Sequence, residues 1–230
     1  MKAEVGEKFS EFLERWESQL DDYKQQLMRG SKEGTSEQEL QVLVSTVTTH
    51  YKEYYTVKWA AAHEDVFAFF SPTWVSPLEN AYSWLTGWKP SMAFRLLDSL
   101  SPTRSQLTEE QVRKIGELRV KVRLDEAKVE MDMERQQVSM GDRKVVNLAR
   151  LMNRRDDPVS EADGLVEVAL KRLMGGLERV MKSADCVRLK TLKGVLDILT
   201  PSQRVDFLAA IIAVQIQLGQ LGKTRESHKL

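Results

Sequence analysis

Four Ser/Thr-x-x-Glu/Gln boxes punctuate this 230-residue chain: Ser36 with Glu39, Ser76 with Glu79, Thr108 with Gln111 and Thr200 with Gln203. In such a box the first side chain accepts from the backbone N–H of the last residue, whose own side chain accepts from the first residue's N–H. The motif therefore fixes where a helix begins. Pro77 and Pro201 stand in the first turn, where a missing N–H costs nothing. Apolar residues after the boxes recur at three- and four-residue steps, and no stretch alternates with period two between hairpin turns. The expected fold is all-α: a single-domain helical bundle of about seven or eight helices, several long and antiparallel.

Phe9, Phe12, Leu13, Trp16, Leu20, Tyr23 and Leu27 lie on one stripe of a first helix ending near Gly30, with residues 1–8 as an N-terminal tail. Ser36 opens a long helix expected to run to Ser71. The segment from Trp59 to Ser91 holds four of the five tryptophans. Aromatic side chains bury the most surface per residue, so this segment is the expected centre of the core. It reads as helix, corner, helix, with Gly87 and Pro90 closing the second helix and starting a third that ends at Leu100.

Around the Thr108 box, Leu107 and Val112 occupy the positions of a hydrophobic staple. Ile115, Leu118, Val122 and Val129 then follow with coiled-coil-like spacing. Asp125 and Asp132 interrupt that seam, which favours a packed, half-exposed helix over a dimerising zipper. Residues 147–163 are polar, include Pro158 and read as a mobile loop. Ser160 is the expected cap of a helix reaching Leu199, within which Gly175 and Gly176 mark a bend or a close helix contact. The last helix is apolar nearly all round, as inside a bundle, and residues 223–230 form a polar tail. The domain is expected to span residues 9–222.

Lys plus Arg and Asp plus Glu are both 34, a balance that argues against electrostatically driven binding to nucleic acid or a membrane surface. The single Cys186 cannot form an intrachain disulfide, and the longest apolar run, Phe207 to Val214, is short of a membrane span. No N-terminal apolar segment suggests secretion, so a soluble nuclear or cytoplasmic protein is expected. His50, His63 and His228 have no second ligand at zinc-like spacing. His63, one turn from Trp59 and Phe67, reads as a core-edge histidine with one ring nitrogen satisfied. Gly222-Lys223-Thr224 mimics the end of a phosphate-binding loop, but Gln217 occupies the position of its first glycine. Neither an enzyme, a metal site nor a cofactor is expected.

Pro72-Thr73-Trp74, Ser76-Pro77-Leu78-Glu79-Asn80-Ala81, Trp84, Gly87 and Lys89-Pro90-Ser91 stand in one order. They are followed by Leu107-Thr108-Glu109-Glu110-Gln111, Ala184-Asp185, Arg188, Thr191-Leu192 and Ile198-Leu199-Thr200-Pro201. This ordered set resembles the seed-dormancy, or delay-of-germination, domain of plant proteins, which is similar to the C-terminal regulatory domain of TGA-class bZIP transcription factors. The resemblance implies a family-motif core of Trp74, Ser76, Pro77, Glu79, Asn80, Trp84, Gly87, Pro90, Asp185, Arg188 and Thr191. It also implies a non-enzymatic role in seed dormancy, maturation and abscisic-acid signalling or transcriptional regulation, with type 2C protein phosphatases or transcriptional regulators as partners. The basic region and zipper of the bZIP relatives have no counterpart here, so direct sequence-specific DNA binding is not expected. Haem is implied for some relatives through histidines of the last helix. Here the corresponding positions are Gln215 and Gly219, and no haem is expected there.

Phe9, Phe12 and Trp16 match an aromatic helix implicated in partner contacts within that family, which makes them the candidate partner-binding residues; the competing reading is that they are core. A separate alternative is a sensor for a small apolar ligand, such as an acyl chain, held in a cavity of aromatic and aliphatic side chains.

Overall fold

The computed structural model describes residues 2–31, 34–100, 107–139, 141 and 159–227. Among them are eight helices and no strand: α1 (Lys2–Gly30), α2 (Glu37–Glu64), α3 (Phe67–Phe70), α4 (Pro77–Ala81), α5 (Met92–Leu100), α6 (Glu109–Ser139), α7 (Val159–Ile198) and α8 (Pro201–Ser227). The all-α expectation holds. All four boxes form at helix starts, with reciprocal bonds between Ser36 and Glu39, Ser76 and Glu79, Thr108 and Gln111, and Thr200 and Gln203. Two of the boxes are joined: Gln111 Nε2 donates to Gln203 Oε1 at 2.8 Å and to the Ile198 carbonyl at 3.0 Å. One buried amide thus ties the start of α6 to the corner between α7 and α8.

Helix α8 is the axis of the bundle, with α1, α2, α4 and α5 packed on it. By length and composition alone Pro201–Arg225 is apolar enough to cross a membrane. A core helix passes the same test, and Val205, Phe207, Leu208 and Ile212 are buried among the neighbouring helices. Helices α6 and α7 form a long antiparallel pair. A Cβ on Gly194 would meet Leu118 at 2.9 Å, and one on Gly176 would meet Gln136 at 1.9 Å, so the close helix contact expected near Gly175 and Gly176 falls at Gly176.

Several boundaries differ from expectation. Helix α1 already begins at Lys2, and α8 continues to Ser227, so most of the two expected tails is helical. Helix α2 stops at Glu64 instead of Ser71. There Asp65 turns the chain: its N–H bonds the Ala61 carbonyl, and its side chain accepts from the Phe67 N–H at 3.1 Å, starting the one-turn α3. Helix α4 ends at Ala81, and residues 82–91 are an irregular loop instead of helix up to Gly87. Of the two expected staple residues, Val112 is 55% exposed and Leu107 packs against the core. Of the expected mobile loop, residues 147–158 lie outside the described residues, and Ser160 falls within α7 instead of preceding it.

The aromatic segment is not the centre of the core. Only Phe69 of its aromatics is buried; Trp59, Trp74, Trp84 and Trp88 are half-buried, and Tyr82 is 75% exposed. The centre contains Trp16, Leu20, Leu27 and Val47 together with Phe94 and the buried residues of α7 and α8. The tryptophans sit at the edge because each also carries a polar task or lines a cavity.

Candidate functional site

Asp185 on α7 is fully buried and holds two cations. Its Oδ1 accepts from Lys58 Nζ at 2.9 Å and from Arg188 Nη1 at 2.5 Å, while Oδ2 accepts from Trp59 Nε1 at 3.0 Å. Buried charges persist only when paired and hydrogen-bonded, and both cations complete their bonding on one loop. Lys58 Nζ donates to the Thr86 carbonyl and hydroxyl, each at 3.0 Å. Arg188 donates to the carbonyls of Trp88 at 2.7 Å and Leu85 at 3.0 Å, and also to that of Trp84. Four carbonyls of residues 84–88 thus point at two cations. Leu85 and Thr86 reach this arrangement with φ of 45° and 67°, the left-handed region that L residues seldom occupy.

Gly87 belongs to the same node. A Cβ there would stand 3.0 Å from Arg188 Cζ, so a side chain at this position would press on the guanidinium over which the loop backbone closes. The indole of Trp84 covers the other side, with Arg188 Cζ 5.3 Å from the ring centre. Two carboxylates of α6 clamp the loop from outside. Glu130 accepts from Trp84 Nε1 and Lys89 Nζ at 2.8 and 2.9 Å, and buried Glu126 accepts from the Ser91 N–H at 2.6 Å, just before α5. Thr191 is buried and turns its hydroxyl back to the Val187 carbonyl.

Burial pushes the Lys58 ammonium down to about 8, with Arg188 adding to the depression and Asp185 opposing it. The amine has no proton free for a reactant, since three acceptors occupy its three N–H groups. This charge cluster shapes a loop.

A cavity of about 400 Å³ adjoins the node. Trp16, Tyr51, Tyr54, Phe69, Trp74 and Trp88 supply much of its wall, and Ile211, Val214 and Leu218 of α8 close one side. Tyr51 donates to Gln215 Oε1 at 3.3 Å at this wall, and Glu17 lies beside it with its carboxyl pushed upward by burial. At the rim, α4 rests on the glycines of α8. A Cβ on Gly222 would fall 2.0 Å from Ser76 Oγ, and one on Gly219 would approach Glu79 Oε1 to 3.4 Å. Gln215 and Gly219 offer no imidazole, so haem does not fit the positions implied by the resemblance.

Of the candidate partner-binding residues, Phe9 and Trp16 are 2% exposed and Phe12 is half-buried. They belong to the core instead of a contact surface. Phe9 meets the Phe69 and Trp74 rings at 4.8 and 5.1 Å. Trp16 stacks on His50 at 4.9 Å, each side chain bonded to the other residue's carbonyl. Among the motif residues, Ser76, Pro90, Asp185, Arg188 and Thr191 are buried, whereas Pro77 and Asn80 are exposed on α4. His63 is on the surface, its ring 3.2 Å from Glu178. The sequence reading missed Lys58 as an ion, Thr86, Glu126 and Glu130. A lysine within the apolar stripe of α2 was the available signal for the first.

The geometry defines an all-helical scaffold in which buried ions fold one loop beside an aromatic cavity. Its relatives identify it further: the chain belongs to the DOG1 family of seed dormancy control, whose domain matches residues 19–99. Protein DOG1-like 4 of Arabidopsis thaliana is 55% identical over 226 residues, covering 98% of this chain and 96% of that protein. Protein RESPONSE TO ABA AND SALT 1 of the same plant is 30% identical, with 93% and 94% covered. Transcription factor TGA6 is 31% identical over 86% of this chain but only 58% of its own length. The family read from the motifs is thus the family shown.

Proposed function

We propose that the chain is a non-enzymatic regulatory module that binds other proteins in the control of seed dormancy and abscisic-acid signalling. Its partners are type 2C protein phosphatases or transcriptional regulators, and it works in the nucleus, the cytoplasm or both. The observation that supports this reading is that the family residues Gly87, Asp185 and Arg188 meet in a node whose charged groups are bonded to one another and to one loop, a structural arrangement and not a reactive one. The names of the relatives, seed dormancy control, response to abscisic acid and salt, and transcription factor, all describe regulation. Titration calorimetry of the purified chain against a type 2C phosphatase and against a TGA-class factor tests the proposal. Saturable binding to either supports it, and absence of heat with both overturns it.

The cavity supports a second reading, a sensor of a small apolar ligand. Its volume lies in the range of small-molecule sites, and its wall joins an aromatic and aliphatic part to a polar part that includes Glu17, Lys58, Asp185, Arg188 and Gln215. Native mass spectrometry of gently purified protein, with thermal shifts on adding fatty acids, tests it. Unliganded protein that no acyl chain stabilises counts against this reading.

A further inference from the structure

Helix α6 has two apolar faces. Ile115, Val122 and Val129 are buried in the bundle. Val120, Leu124, Met131 and Val138 are 60%, 67%, 49% and 67% exposed, and Ala127 is exposed between them. At 3.6 residues per turn Met131 stands about 180° from Val122, so the second line faces away from the fold. Leu124, Met131 and Val138 recur every seven residues, with Val120, Ala127 and the exposed Glu134 at the intervening positions. This is the 3.5-residue repeat of a coiled-coil seam, apolar without a break for about 17 Å from Val120 to Met131 and resumed at Val138 beyond Glu134.

The charges beside the seam select its occupant. Lys121, Lys128 and Arg135 take the same flanking position in successive heptads. Lys121 and Lys128 make no ion pair among the described residues, and Arg135 pairs only with its neighbour Asp132 at 2.8 Å. The opposite flank carries Arg123, Glu130 and Gln137, of which Glu130 is already bonded to Trp84 and Lys89. A second copy fits poorly. Antiparallel pairing sets the basic flank against itself; parallel pairing sets Arg123 against Lys128 and would bring Arg135 to Glu130, whose carboxylate is already bonded to Trp84 and Lys89.

We infer that the outer face of α6 is a docking site for an amphipathic helix of another protein, with apolar residues at heptad spacing and acidic residues along the flank that meets Lys121, Lys128 and Arg135. The inference rests on the protein-binding reading above and gives it a surface.

The test uses the whole chain and two synthetic four-heptad peptides with isoleucine and leucine in the seam, one with glutamate on both flanks and one with lysine. Fluorescence anisotropy should show the acidic peptide binding at least about tenfold tighter than the basic one, and weakening with salt. Leu124→Glu with Met131→Glu should lose at least about tenfold in affinity at unchanged helical circular dichroism, because both positions are exposed. Lys121→Glu with Lys128→Glu should invert the preference. Equal binding of the two peptides, or binding untouched by the seam substitutions, overturns the inference. So does a wild-type dimer in sedimentation that those substitutions dissolve. Phosphatase or TGA-factor binding retained by a seam variant that has lost the peptide removes this surface and leaves the regulatory reading standing.

Discussion

A Cβ placed on Gly87 would lie 3.0 Å from the guanidinium carbon of Arg188, which four acceptors hold in place. The guanidinium cannot retreat without giving up at least one of those bonds. Gly87→Ala should therefore destabilise the protein by about 1–3 kcal/mol, in the range for overpacking a filled site. Urea denaturation followed by tryptophan fluorescence measures it; an unchanged midpoint would show that the loop yields freely.

Asp185 compensates two buried cations, so Asp185→Asn should cost about 3–5 kcal/mol, the magnitude for breaking a buried ion pair from one side. Lys58 adds a pH signature. Its ammonium is depressed to about 8 in the folded chain, against about 10.4 unfolded. Between those values the unfolded chain binds more protons, so stability from this group rises with pH through that window and is flat below it. The stability difference between wild type and Lys58→Met, measured from neutral pH to about 10, should shift in favour of the wild type. A constant difference would contradict the assignment.

Phe9→Ala and Trp16→Ala should each destabilise by about 3–5 kcal/mol, as expected for large aromatics removed from a core. Burial lowers the pKa of the neighbouring His50, although the Trp16 carbonyl favours the ring N–H. Its contribution is complete above its ordinary value of 6.5 and is lost as pH falls below it. His50→Gln should flatten the acid limb of the stability profile, which thermal melts across that range would reveal.

Three helical glycines should behave differently when replaced by alanine. At Gly222 the new Cβ collides with Ser76 at the α4 cap, predicting a loss of about 1–3 kcal/mol. Gly116 has nothing within 4 Å, so alanine there should stabilise by up to about 1 kcal/mol through helix propensity alone. Gly219, with Glu79 at 3.4 Å, should fall between them. Parallel thermal melts of the three variants check the order.

The capping boxes were legible because their chemistry is local: Ser76 and Glu79 need only each other to start α4. The α1 stripe was legible for the same reason, since helical periodicity places Leu13, Trp16 and Leu20 together. Asp65 was less so, because nothing in its immediate sequence distinguishes a helix stop from an exposed helical acid. The node was partly visible: Gly87, Asp185 and Arg188 stood out through family resemblance, but Lys58 and Glu126 become partners only after α2, α6 and α7 are assembled. Burial of Trp16 over Trp84 likewise depends on α8 passing beside one and leaving the other at the edge. The outer seam of α6 is written in the spacing of Leu124, Met131 and Val138, yet sequence alone cannot say which of two apolar faces of one helix turns inward.

On its inner side the loop over Arg188 is gripped mainly by its own carbonyl oxygens, a group that every amino acid supplies. Its path is thereby uncoupled from the identity of the exposed side chains it carries. Tyr82 at its entrance, 75% exposed, can be exchanged without redrawing the backbone, whereas Gly87 packs against the guanidinium and Ser83 bonds the Gly87 carbonyl. Such a loop is a fixed frame with interchangeable lettering, through which related chains can diverge in what they display beside the cavity while keeping one shape.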